Sequence, residues 1–252
     1  METSIPARRV QRVRHELRRR DVQVAQVQPM SPGFVAITFT GPDLADFVSP
    51  GFDDHVKFMF QPVASPEAEP VRRDYTPRRF DNQACTLTIE FALHGHGHAS
   101  DWARQAQPGQ TATILGPRGS MLLPTDWDWH LLVGDATALP AIHRRLEELP
   151  AGAAVRVLVQ VPQAGDERRF DSAAHLGAGL QVQWVHSAEA LLAALAAQPL
   201  PAGQGFAWCA GEAGLMRQTR ALLLQQGQPA TALHAAAYWK PGAADFHERL
   251  DA

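Results

Sequence analysis

A change of hydrophobic rhythm near residue 124 limits the fold of this chain more than any other feature. From Asp21 to about Leu115 apolar residues recur at every second position: Val22 and Val24, then Val35, Ile37 and Phe39. Val56, Phe58 and Phe60 follow, then Leu87, Ile89, Phe91 and Leu93. Each run is short and bounded by Pro, Gly, Asp or Asn, so this half predicts an antiparallel sheet closed as a barrel or sandwich. One helix is expected inside it, around Ser100–Gln107, with Ser100 as its cap and Pro108-Gly109 as its stop. After about Pro124 the reading becomes strand, helix, strand. Strands are expected at His130–Gly134, Val155–Val161, Leu180–His186, Phe206–Ala210 and about Ala232–Tyr238. Helical stretches at Ala138–Leu149, Ala188–Ala197 and Gly214–Gln226 separate them, which predicts a parallel sheet covered on both faces.

The expected division is a basic tail over 1–20, a β domain over 21–124 and an α/β domain over 125–252. A length of 252 residues, 45% of them apolar, suffices for two such cores. Net charge is −3, so the body as a whole does not read as a nucleic-acid binder. The Arg8–Arg20 run carries no aromatic residues and reads as a solvated tail or short surface helix rather than a nucleic-acid arm. Met1–Arg20 lacks an apolar core segment, so neither a secretory signal nor an anchor is expected, and no apolar run approaches a membrane span. Cys85 and Cys209 cannot make a disulfide framework, which suggests reduced thiols in a cytoplasmic protein.

Two stretches carry chemistry. In Arg72-Arg73-Asp74-Tyr75-Thr76-Pro77-Arg78-Arg79, an Arg-x-Tyr-Thr strand suits a flavin nucleotide. The Arg can fork onto phosphate, the Tyr can lie against the ring system, and the Thr can reach its polar edge. Alone, these four residues fit better a basic turn with a buried tyrosine. The second stretch, His94-Gly95-His96-Gly97-His98-Ala99-Ser100, leads through two glycines into a helix start, where free N–H groups and the positive dipole end suit a pyrophosphate. A metal on His94, His96 and His98 is the rival reading; it ranks lower because the glycines continue into a helix and no fourth ligand motif is apparent.

With these stretches in view, the chain resembles the siderophore-interacting protein family, FAD-containing ferric-siderophore reductases related to ferredoxin–NADP reductases. The resemblance rests on His55-Val56-Lys57-Phe58, Arg73–Asp81, Phe91–Ala103, Leu115–Ser120, Gly134–Ala141, Trp208–Ala213 and Tyr238-Trp239-Lys240, in family order over nearly the whole chain. The chain departs from the pattern at His96-Gly97-His98, where the family usually has Gly-Gly-Pro or similar before Ala-Ser. The resemblance implies a flavin barrel of Greek-key type followed by a pyridine-nucleotide domain. It also implies NAD(P)H- or ferredoxin-linked reduction of a ferric siderophore, a hydride passing to the flavin and single electrons to Fe(III). No catalytic side chain and no resident metal are expected, and the expected oligomeric state is monomer.

The expected FAD contacts are Arg73, Tyr75, Thr76, Arg78, His94, Gly97, Ala99, Ser100, Asp135 and Thr137. For the NADPH or NADH donor they are Gly134, at a strand-to-helix turn where a parallel sheet binds phosphates, then Gly211 and Glu212. Arg168 and Arg169, after the second strand of the α/β half, are candidates for a 2′-phosphate. Cys209 reads as a small core residue. The chain has two lysines, Lys57 and Lys240, and these with Arg118 are the expected basic patch for an anionic chelate.

Overall fold

The computed structural model describes residues 10–63, 67–93, 97–243 and 246–250. His94 and His96 lie outside them, so the His94–His98 run is described at Gly97 and His98 alone.

The first half builds β1 (Gln11–Arg14), β2 (Arg19–Ser31), β3 (Phe34–Thr40), β4 (Val56–Phe60), β5 (Val71–Tyr75), β6 (Pro77–Asp81) and β7 (Thr86–Ala92). Helix α1 (His98–Gln105), β8 (Thr111–Leu115) and β9 (Gly119–Leu122) complete it. Seven of these strands form a curled antiparallel sheet in the order β5-β4-β8-β2-β3-β7-β6. Its two edge strands, β5 and β6, are consecutive in the chain with Thr76 alone between them. Alternation has the expected effect: Ile37 faces Ile89 and Phe39 faces Leu87 in register, and all four are fully buried. Helix α1 inserts Trp102 among Phe39, Phe58, Phe60 and Phe91, with ring centroids 4.9–6.3 Å away.

Two expectations are corrected here. The basic run is not a free tail or helix where it is described, because β1 pairs with β9 and β2 already begins at Arg19. Arg20 is buried over the Phe47 ring and donates to Gly116 O, Asp43 O and Asp46. Helix α1 starts at His98 after Gly97, and Ser100 does not cap it. Its hydroxyl donates instead to Ala92 O, tying the helix to β7.

The second half contains β10 (Trp129–Asp135), α2 (Leu139–Glu148), β11 (Val155–Gln160), β12 (Leu180–Val185), α3 (Ala188–Ala197), β13 (Gly205–Glu212) and α4 (Ala213–Gln225). It ends with β14 (Leu233–Trp239) and the short β15 (Glu248–Arg249). The sheet order is β12-β11-β10-β13-β14-β15. The first five strands are parallel and β15 is antiparallel, so the sheet is mixed rather than purely parallel. Strand order reverses between β10 and β13, and a crevice for ligands forms at such a point, outside the carboxyl ends of the strands.

The halves share a core: Phe34, Phe52, Met121 and Leu123 of the first pack into the cluster beneath α2 and β13. Around this core lies a seam of arginines from α2. Arg144 donates to Ser49 O at 2.7 Å and Pro77 O at 3.0 Å, and Arg145 donates to Leu123 O and Pro124 O. No helix among the described residues is long and apolar enough to cross a membrane.

Candidate active site

The carboxyl ends of β10, β13 and β14 face the open end of the curled sheet, leaving a cleft of about 390 Å³ between the halves. From the first half it is lined by Arg73, Tyr75 and Thr76 on the β5–β6 edge, and by Gly97, His98, Ala99 and Ser100 at the start of α1. From the second half come Thr137, Pro140, Tyr238, Trp239 and Lys240. Six expected FAD contacts thus converge on one cavity from two places, the β5–β6 edge and the start of α1, with Thr137 joining from the other lobe.

Each wall has its own chemistry. The Tyr75 ring packs on Phe91 at 4.4 Å and edge-on to Phe58 at 6.0 Å, and burial pushes its phenol well above the ordinary tyrosine range. It therefore presents a neutral aromatic surface. Arg73 makes one hydrogen bond, to Arg72 O at 2.6 Å, and no carboxylate among the described residues pairs with it. Gly97 has no side-chain cap to offer α1, and a Cβ built there would meet nothing within 4 Å. The positive end of α1, a guanidinium held only by one backbone carbonyl and open space in front of a glycine have the chemistry that suits a pyrophosphate. The Tyr238 hydroxyl is buried without a partner, a donor awaiting an acceptor. These groups fit a flavin dinucleotide.

Several expected contacts are spent on the protein itself. Asp135 is buried, and its carboxylate accepts four hydrogen bonds: Thr137 N at 2.8 Å, Thr137 Oγ1 at 2.5 Å, Glu212 N at 2.7 Å and Trp239 Nε1 at 2.8 Å. It positions the tips of β13 and β14 and the turn into α2. Gly211, at φ 153°, lies against this carboxylate, and a Cβ there would come within 2.6 Å of Asp135 Oδ2. Gly134 is required by packing, because a Cβ would fall 2.4 Å from that of Ala138. Glu212 caps α4 by accepting from Leu215 N at 2.7 Å.

Arg78 is likewise engaged within the protein. Its guanidinium is buried, forks onto Glu147 of α2 at 2.8 and 2.9 Å, and stands 3.3 Å from Glu90. Arg168 pairs with the same Glu90 and lies 4.2 Å over the Phe34 ring, packing between the two halves. Arg169 is exposed, paired with Asp171 at 3.3 Å. Cys209 is fully buried, as expected of a core residue.

Of the expected basic patch, Lys240 lines the cleft, and Lys57 pairs with the cleft residue Asp74 at 3.0–3.1 Å. Arg118 is exposed on the β8–β9 turn and does not line the cleft, so the patch is two lysines. Sequence reasoning missed Asp74 and His247 as lining residues. His55 Nδ1/Nε2, a His247 ring nitrogen and an Asp74 oxygen lie within 4.8 Å of one another at this wall. The His55 and His247 rings are 4.7 Å apart, and burial, with His55 alongside, holds His247 down to about 4. No spacing pattern announces the trio, since β14 and the segment after it bring His247 back across the domain junction.

Comparisons with known proteins agree with this geometry. Residues 127–242 match the family model "Siderophore-interacting protein", and residues 23–69 and 61–121 match "Siderophore-interacting FAD-binding domain". The chain is 39% identical over 246 residues to the NADPH-dependent ferric-chelate reductase of Escherichia coli, covering 91% of this chain and 96% of that one. It is 31% identical over 242 residues to the ferric vibriobactin reductase ViuB of Vibrio cholerae, covering 87% and 89%. A siderophore utilization protein from T. fusca superposes with a TM-score of 0.88 at 32% identity, over 94% of this chain and 98% of that one. Two family models that together span both halves, and relatives aligned along almost their full length, place this chain in the siderophore-interacting protein family.

Proposed function

We propose that the protein is an FAD-dependent reductase that takes electrons from NADPH and delivers them to a ferric siderophore. The observation that carries this reading is the cleft itself, where the α1 start with Arg73, an aromatic wall and Lys240 meet, and whose lining residue Asp74 is paired with Lys57. FAD, when bound there, supplies the conversion of a two-electron donor into single electrons that Fe(III) accepts. Arg73 and the α1 N-terminus hold the pyrophosphate, Tyr75 and Trp239 confine the ring system, and Thr76 donates to its polar edge. Lys57 and Lys240 attract the anionic chelate that a net charge of −3 would otherwise repel. Fe(II) binds hard oxygen ligands more weakly than Fe(III), so reduction releases the metal.

We assign donor preference to Arg169, the exposed arginine after β11, and read the barrel as Greek-key in type and the protein as a cytoplasmic monomer. The test is the absorbance spectrum of the purified protein, followed by turnover of NADPH and NADH with a ferric siderophore and a ferrous-specific indicator. Flavin bands, Fe(II) release and a preference for NADPH that narrows in Arg169→Ala are the expected results. Absence of flavin bands after reconstitution with FAD ends the reading. Flavin reduced by a ferredoxin but by neither nucleotide would make the protein an electron relay instead.

A further inference from the structure

We infer that His55, Asp74 and His247 form a receiving site for the ferrous ion, on the wall of the cleft where the chelate is reduced. The inference rests on the proposed reductase reading for the origin of the ion, but the site itself stands on geometry. Two imidazoles and one carboxylate present ligand atoms that all lie within 4.8 Å of one another. Three ligand atoms held about 2.1 Å from one divalent ion stand roughly 3.0–3.6 Å from one another, so closure draws the side chains together by about 1–2 Å, within reach of χ rotations of the two histidines. Two histidines and a carboxylate with open positions are a donor set suited to Fe(II), whereas Fe(III) prefers the all-oxygen chelate it arrives in. The set therefore discriminates between substrate and product by oxidation state.

The placement is equally specific. His55 and Lys57 flank the core residue Val56 and share the outward face of the sheet, and Lys57 is in register with Asp74 on β5. His247 arrives from the segment between β14 and β15, so neither lobe holds the full set. Asp74 already serves the chelate-attracting patch. Its Oδ2 accepts from the Lys57 ammonium at 3.1 Å, while Oδ1 lies 3.0 Å from the same nitrogen but off the line of a hydrogen bond. Oδ1 is thus available to a cation while Oδ2 keeps the lysine. An ion leaving a reduced chelate beside Lys57 passes directly onto this oxygen and the two imidazoles.

Co²⁺ is an air-stable probe that N/O ligands bind somewhat more tightly than Fe²⁺. Isothermal titration of the FAD-loaded protein, free of any polyhistidine tag, should give one Co²⁺ per chain. His55→Ala and His247→Ala should each weaken it at least tenfold, and Lys57→Met should tighten it several-fold by removing a neighbouring positive charge. His98→Ala should leave binding unchanged. Flavin absorbance reports folding of each variant, and His55→Gln and His247→Gln replace any alanine variant that loses it. No stoichiometric Co²⁺ in the parent protein, equal binding in both histidine variants, or loss in His98→Ala instead would overturn the site. None of these measurements depends on turnover, so a failed reductase assay and a failed metal site remain separate results.

Discussion

Arg73 keeps most of its guanidinium free inside the cleft, while Arg78, on the next strand, commits its own to Glu147 and Glu90. Removing them should therefore break different properties. If Arg73 holds the pyrophosphate as proposed, Arg73→Ala deletes a charged hydrogen bond worth roughly 1.5–3 kcal/mol, so FAD should bind about ten- to a hundredfold more weakly with little change in melting temperature. Fluorescence titration of the apoprotein measures this, and an unchanged Kd would assign the phosphate elsewhere. Lys57 and Lys240 belong to the proposed attraction of the substrate. Lys57→Ala and Lys240→Ala should raise KM for an anionic ferric chelate, and more so at low salt, where the parent gains most from unscreened attraction. Equal KM values at low ionic strength would remove the patch.

At the scale of the element, α2 works as a bolt. One face packs in the shared core and the other supplies Arg144, Arg145, Glu147 and His143 to the junction. Glu147 is held down to about 2: burial alone would raise it, but hydrogen bonds from Arg78, Ser172 and Arg79 outweigh that cost. His143 is held down to about 3, chiefly by burial and then by Arg78. Both groups bind protons more readily in the unfolded chain, so each adds stability that is lost on acidification. His143 loses it from about 6.5 downward and Glu147 from about 4.5 toward 2. Melting temperature should fall below pH 6.5 and more steeply below 4.5, and His143→Gln should flatten the upper part of that decline. Glu147→Gln leaves Arg78 buried without its forked partner and should cost roughly 3 kcal/mol. Little of this was legible in the sequence. Period two revealed the strand faces because a sheet records burial at every second residue, and Arg-x-Tyr-Thr with a glycine-led helix start marked the cleft. Arg78, Arg168, Asp135 and Glu212 were expected at a ligand and are each engaged with a neighbouring element, because a polar residue near a strand end has the same local signature in either setting. For Arg78 and Arg168 the docking of the lobes supplies the partner, and for Asp135 and Glu212 the packing of strand tips within the second lobe does.

At the scale of the whole molecule, the two lobes have one fused interior. The Phe52 ring meets Trp208 at 5.4 Å, and Trp208 Nε1 donates to Asp53 at 3.2 Å, joining β13 to the segment before β4. Calorimetry should accordingly show one unfolding transition rather than two. Arg145 also grips the carbonyls of Leu123 and Pro124, the stretch where the sequence suggested a linker between the lobes. A gripped linker cannot serve as a hinge. The donor and the chelate must then take turns at a rigid slot, with no swinging of the lobes to set the pace. Turnover should be nearly indifferent to added sucrose or glycerol once both substrates saturate, and a rate that falls in proportion to solvent viscosity would show that the slot opens after all.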